Sequence, residues 1–158
     1  MNQYLQELLN SGSLPVVFDY DGVLFEARWY RTRINMPKET EEKLFAAMQR
    51  GENLYTSPIP FLMELVPAIR SDIFILSHIH NRIEYEYKCG QIARYYPVIP
   101  RENILWAHSP ESKTEYMQKI RGTYGGFIYI DDTHPNLVRF ENAFDDRCKF
   151  FHVSSLYV

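Results

Sequence analysis

The chain has 158 residues, 46% of them hydrophobic and 23% charged, which is enough apolar material for one domain around a single buried core. Seventeen Lys and Arg against twenty Asp and Glu leave a formal charge of −3. That field is too weak to hold a nucleic-acid backbone, so no stable nucleic-acid partner is expected.

In chain order, the first ten residues carry neither the basic nor the apolar region of an export signal, and they pattern as a helix over residues 3–9. Tyr4, Leu5, Leu8 and Leu9 on this segment either pack on a sheet or meet another subunit. Residues 14–19 (LPVVFD) then form the first run rich in β-branched and aromatic side chains, a strand signal. Residues 25–58 have a different character, with Arg28, Arg31, Arg33, the adjacent Trp29 and Tyr30, and a charged helix pattern over 38–50. The stretch is too long for a plain strand-to-helix loop and reads as a small inserted cap. Pro58 and Pro60 open a helix pattern over 60–70, and a strand follows at 72–77. Next come a helix over 81–95 closed by Pro97 and Pro100, a strand at 103–107, a helix over 113–121 and a strand at 126–131. Residues 133–144 carry Pro135 and read as half helix and half loop, and residues 149–153 give a fifth strand. No apolar run reaches bilayer length, so no membrane contact is expected. Cys89 and Cys148 lie far apart without metal-ligand spacing, which fits a reducing, cytoplasmic setting.

Strands alternating with helices predict a Rossmann-like α/β domain over residues 1–158: a parallel five-stranded sheet with helices on both faces and the insertion between strands one and two. The strands are almost continuously apolar, as burial on both sheet faces requires. In such sheets, ligands bind beyond the carboxyl ends of the strands. There the sequence places Asp19-Tyr20-Asp21-Gly22 after the first strand, Ser77 at the end of the second and Asp131-Asp132 at the end of the fourth, with Lys113 just beyond the third. Four carboxylates gathered at one sheet end repel one another, and a hard divalent cation, Mg²⁺ above all, is the usual remedy. Taken singly, each piece also has a plain structural reading: an Asx turn, a helix cap, a solvated lysine, an acidic N-cap. Their joint occurrence, each on a separate strand end, carries the functional reading.

Val16-Val17-Phe18-Asp19-Tyr20-Asp21-Gly22-Val23-Leu24 resembles the first motif of the haloacid dehalogenase-like superfamily. Phe74-Ile75-Leu76-Ser77 resembles its second motif, Lys113 its third, and Ile128-Tyr129-Ile130-Asp131-Asp132 its fourth. The helix opened by Pro58 and Pro60 and the segment Pro110-Glu111-Ser112-Lys113 look most like the small 5′(3′)-deoxyribonucleotidase branch.

The resemblance implies a Mg²⁺-dependent phosphomonoester hydrolase that works through an aspartyl-phosphate, on a nucleoside 5′-monophosphate or a similar small ester. Asp19 would be the nucleophile and Asp21 the general acid and base, with Ser77 and Lys113 completing the catalytic set. Asp19, Asp131, Asp132 and the backbone carbonyl of Asp21 would hold the metal. Ser77, His78, Lys113, Arg28 and Arg31 would bind substrate. An acid at Asp21 favours phosphate-ester hydrolysis over carbon–halogen cleavage.

Several alternatives stay open at this level. Arg28, Arg31 and Arg33 with Trp29 and Tyr30 either grip a phosphate and stack a base or form a solvated basic face. His78 and His80 lack a third ligand of the right type for zinc. A short insertion leaves two readings, a homodimer in which a second copy completes the site, or a bulky substrate. The rival functions are an idle phosphate-binding sensor and a receiver domain. Chain order opposes the receiver, since the Asp-x-Asp comes first and the Asp-Asp pair late.

Overall fold

The computed structural model describes residues 1–27, 42, 43, 46, 47, 50 and 53–157. Its strands obey a period of two. Val16, Phe18, Ile73, Ile75, Ile128 and Ile130 belong to one apolar cluster, whereas Val17, Phe74, Leu76, Phe127 and Tyr129 belong to another. A sheet with a core on each face results, which explains the unbroken hydrophobicity of its inner strands.

The sheet strands are β1 (Val16–Phe18), β4 (Ile73–His78), β5 (Ile104–Ala107), β6 (Phe127–Asp131) and β7 (Cys148–His152). They are all parallel, in the order β5-β4-β1-β6-β7. The chain leaves β1 toward β4 and β5, then returns to the other side of β1 to lay down β6 and β7. The order therefore reverses between β1 and β6, and the crevice at their carboxyl ends is where this architecture receives ligands. This is the expected Rossmann-like α/β sheet.

Helices cover both faces. On the first cluster lie α1 (Gln3–Ser11), α2 (Pro60–Leu65) and α3 (Arg82–Tyr95), through Leu5, Leu9, Leu62 and Ile92. On the second lie α4 (Pro110–Tyr124) and α5 (His134–Glu141), through Met117, Ile120, Leu137 and Phe140. Packing on the sheet thus accounts for Leu5 and Leu9, while Tyr4 stays exposed.

Two helix expectations are corrected and a third is made definite. The helix expected over 60–70 stops at Leu65 and tightens into a 3-10 turn at Val66–Ala68, because Pro67 has no N–H to continue the ladder. The helix expected to begin at Lys113 begins at Pro110, where Ser109 and Ser112 cap each other's backbone N–H groups. The segment 133–144 divides as expected, with helix α5 ending at Glu141 and turns after it, and Pro135 falls in the first turn of α5, where no N–H is needed.

Residues 25–58 enter and leave as an antiparallel pair, β2 (Phe25–Ala27) with β3 (Tyr55–Pro58), bulged between Glu26 and Ala27. The helix expected over 38–50 lies largely outside the described residues. Among the described residues no helix is long and apolar enough to cross a membrane.

Candidate functional site

The site grows from the turn after β1. Asp19 continues the ladder by donating its N–H to Ile130 O at 2.9 Å, and the chain then folds back so that Gly22 N reaches Phe25 O at 2.9 Å. Gly22 has φ of 72°, in the left-handed region that side chains disfavour. A Cβ there would also run into the Asp132 carboxylate. Only glycine lets the two acidic segments close on each other.

On the α4 side of the sheet, three carboxylates converge. Asp19, Asp131 and Asp132 each offer an oxygen, and these atoms lie within 4.8 Å of one another. Lys113 comes from the first turns of α4 and sets its Nζ 3.2 Å from Asp19 Oδ2 and 3.9 Å from Asp131 Oδ2. Tyr129 shares a face with Asp131, two residues on, and donates its hydroxyl to Asp131 Oδ2 at 2.6 Å. The same hydroxyl accepts from Lys113 Nζ at 3.3 Å. Asp131 also accepts from Thr133 N at 2.7 Å and from Asn136 Nδ2 at 3.3 Å, so α5 fixes its orientation. His152 on β7 donates Nε2–H to Asp132 O at 2.9 Å.

Burial sets the electrostatics of this half. It pushes the Asp19 carboxyl up to about 7; Lys113 pulls against it, and Asp131 and Asp21 add to the rise. Burial likewise raises Asp132, reinforced by Asp131. Carboxylates crowded and short of water in this way ionise together only when a positive charge offsets them, and otherwise hold a proton.

On the α3 side stands a second cluster. Asp21 turns its Oδ2 to Lys88 Nζ at 2.7 Å, while its Oδ1 is buried without a hydrogen-bond partner. Lys88, fully buried, also donates to Glu84 Oε1 at 2.9 Å, His78 O at 3.1 Å and Ser77 Oγ at 3.2 Å. Its ammonium sits 4.8 Å from the centre of the Tyr20 ring. Glu84 uses its other oxygen to accept from His80 N at 2.8 Å and His80 Nδ1 at 3.0 Å, which pins the loop after β4. Burial would depress the Lys88 ammonium, but Asp21 and Glu84 outweigh it and hold it above the usual lysine value. Burial raises the Asp21 carboxyl despite Lys88, whereas Glu84 is held low, Lys88 overcoming the opposite pull of burial.

The structure thus brings together Asp19, Asp131, Asp132 and Lys113, and joins Asp21 to Ser77 and the His78 backbone through Lys88. The Asp21 side chain is not one of the three clustered carboxylates. The His78 ring donates Nε2–H to His108 O at 3.1 Å, and burial lowers its pKa. Among the described residues, the only gathered metal-ligand set is the three aspartates. Arg28 and Arg31, with Trp29, Tyr30 and Arg33, lie outside the described residues.

Lys88, Glu84 and Tyr129 escaped the sequence reading. A signal was present for Lys88: Glu84, Lys88, Ile92 and Tyr96 recur every four residues, and all four are buried. A lysine on the same stripe as Ile92 and Tyr96 faces the core. Compared with known proteins, the chain matches no family model and no curated sequence.

Proposed function

We propose that this protein is a Mg²⁺-dependent phosphomonoester hydrolase of the haloacid dehalogenase-like kind. The observation that carries the reading is the placing of Asp19 at the reversal between β1 and β6, 3.2 Å from the Lys113 ammonium and gathered with Asp131 and Asp132. Nothing about a solvated Asx turn requires a buried carboxylate paired with a buried lysine from a different strand-helix unit.

The donor set fits Mg²⁺, being all oxygen and crowded enough to repel. Asp19, Asp131, Asp132 and the Asp21 backbone carbonyl would hold the ion, which when bound offsets the negative charge of the carboxylates and of a phosphoryl group. The remaining chemistry belongs to the chain. An Asp19 carboxylate oxygen attacks phosphorus in line, the bond to the ester oxygen breaks, and Asp21 gives its proton to the departing alcohol. Asp21 then takes a proton from the water that attacks the phosphorus of the aspartyl-phosphate, which frees inorganic phosphate and restores Asp19. Lys113 offsets charge on Asp19 and on the phosphoryl oxygens throughout. Tyr129 holds Asp131 and Lys113 in register.

In this reading the β2–β3 pair is the root of a small cap. The favoured substrates are nucleoside 5′-monophosphates and similar small esters, supported by the likeness of the segments leading to Ser77 and Lys113 to the deoxyribonucleotidase branch.

Phosphate release from a panel of nucleotides, sugar phosphates and p-nitrophenyl phosphate, with Mg²⁺ and with EDTA, tests the proposal. Asp19→Asn is expected to abolish turnover while the circular dichroism spectrum stays native, and hydroxylamine-sensitive label from a phosphorylated substrate is expected on Asp19. An intact protein that binds phosphate but shows no metal-dependent release would instead be a sensor.

A further inference from the structure

We infer that Lys88 is a positioning residue that decides which oxygen of Asp21 exchanges a proton with the substrate. The inference rests on the phosphomonoesterase reading and deepens it. An ammonium has three N–H donors and no acceptor, so an oxygen facing it must accept. Asp21 Oδ2 faces Lys88 Nζ at 2.7 Å. Whenever Asp21 carries a proton, that proton is therefore confined to Oδ1, the oxygen that is buried and without a protein partner. A free carboxyl group would share its proton between two oxygens and rotate. Here one oxygen is held, so the proton given to the leaving group in the first half-reaction and the proton taken from water in the second both pass through the other, which a substrate reaches by displacing the groups that shield it.

The ammonium is itself held from several directions. Glu84 Oε1 at 2.9 Å and His78 O at 3.1 Å accept its other protons, with Ser77 Oγ at 3.2 Å. Tyr20, the residue between the two catalytic aspartates, lays its ring 4.8 Å from Nζ. Its ring stacks on Phe25 at 4.4 Å, so the turn that carries Asp21 is packed against the same ammonium that orients its side chain. Glu84 fixes the loop after β4 through His80, and the chain of contacts runs from that loop through Glu84 and Lys88 to Asp21.

A proton donor matters in proportion to how badly the leaving group needs the proton. The test compares two esters on the same protein preparations with Mg²⁺ present: a nucleoside 5′-monophosphate, whose alkoxide must be protonated, and 2,4-dinitrophenyl phosphate, whose phenolate departs unaided. Lys88→Met is expected to lose about 100-fold more kcat/KM on the alkyl ester than on the aryl ester, the share that a well-placed general acid commonly supplies. Taking the ratio within one preparation cancels any fraction that fails to fold. The double variant Lys88→Met/Glu84→Gln removes both charges of the buried pair and is expected to show the same split if the single variant does not fold. Equal losses on both esters, with the wild type active, would overturn the inference and leave the phosphatase reading standing. A wild type that releases no phosphate from either ester would overturn both.

Discussion

Gly22 states the constraints at the scale of a single residue. Its φ of 72° and the Asp132 carboxylate beside it leave no room for a methyl group. The left-handed conformation alone costs a side chain roughly 1–2 kcal/mol. Gly22→Ala is therefore expected to lower the unfolding free energy by at least about 1 kcal/mol in urea titration, and to depress activity further by forcing Asp132 away from Asp19 and Asp131. A variant as stable and active as the wild type would show that the two acidic segments do not need this close approach. At this scale, Asp19, Asp131, Asp132 and Lys113 were legible because the end of an apolar run is where a parallel strand stops, and polar groups stranded there must face the crevice. Lys88 was not, because a lysine inside a charged helix is read by default as solvated, and its burial depends on which face of α3 meets the sheet. The rotation of a helix about its own axis is decided by packing. Along α3 only Ile92 and Tyr96 mark the stripe that Glu84 and Lys88 share, a signal that shows once the spacing of four is followed along the helix.

Among elements, the termini of helices were harder to place than their existence. α4 starts three residues before Lys113 because Ser109 and Ser112 satisfy the first backbone donors between them, and this sets the turn from which Lys113 reaches Asp19. Its other end is tied by Arg121, which with Arg147 pairs with Asp145 in the loop leading to β7. Hydrogen bonds from Arg121 and Arg147 hold Asp145 below its ordinary value of 3.8. A carboxylate whose pKa is depressed by folding stabilises the folded state above its unfolded value, and that contribution disappears as pH falls through the folded value. Asp145→Asn is thus expected to lower the melting temperature slightly near neutrality, with the difference between variant and wild type shrinking as pH drops below 3.8. The pair is solvent-facing, so added salt should shrink the difference as well. A difference that grew in acid would contradict this assignment.

For the molecule as a whole, the parallel sheet and its layers followed from pattern alone, since strands buried on both faces leave little freedom in how a chain of this length can be wound. The β2–β3 pair was not visible, because Phe25–Ala27 and Tyr55–Pro58 are short and pair across a long intervening stretch that no local signal bridges. Crowding Asp19, Asp131 and Asp132 within 4.8 Å opposes folding unless the charge is compensated, so a cation that binds only the folded chain must stabilise it. Mg²⁺ at one hundred times its dissociation constant is expected to add about 2.7 kcal/mol to the unfolding free energy, and EDTA to remove it. Asp131→Asn should blunt that response. A melting curve indifferent to Mg²⁺ would mean that these three acids do not hold the ion.

The alternation of side chains along the strands has one more consequence. Asp131, Tyr129 and Lys113 belong to the layer of α4 and α5, while Ser77, Lys88 and Glu84 belong to the layer of α3. In the proposed mechanism the covalent and the acid–base halves of the chemistry would thus be anchored in separate slabs of the molecule, divided by the sheet itself. On that reading a lesion in α3 weakens proton delivery while the three aspartates and Lys113 keep their places, so esters that leave unaided would still be cleaved when alkyl esters no longer are.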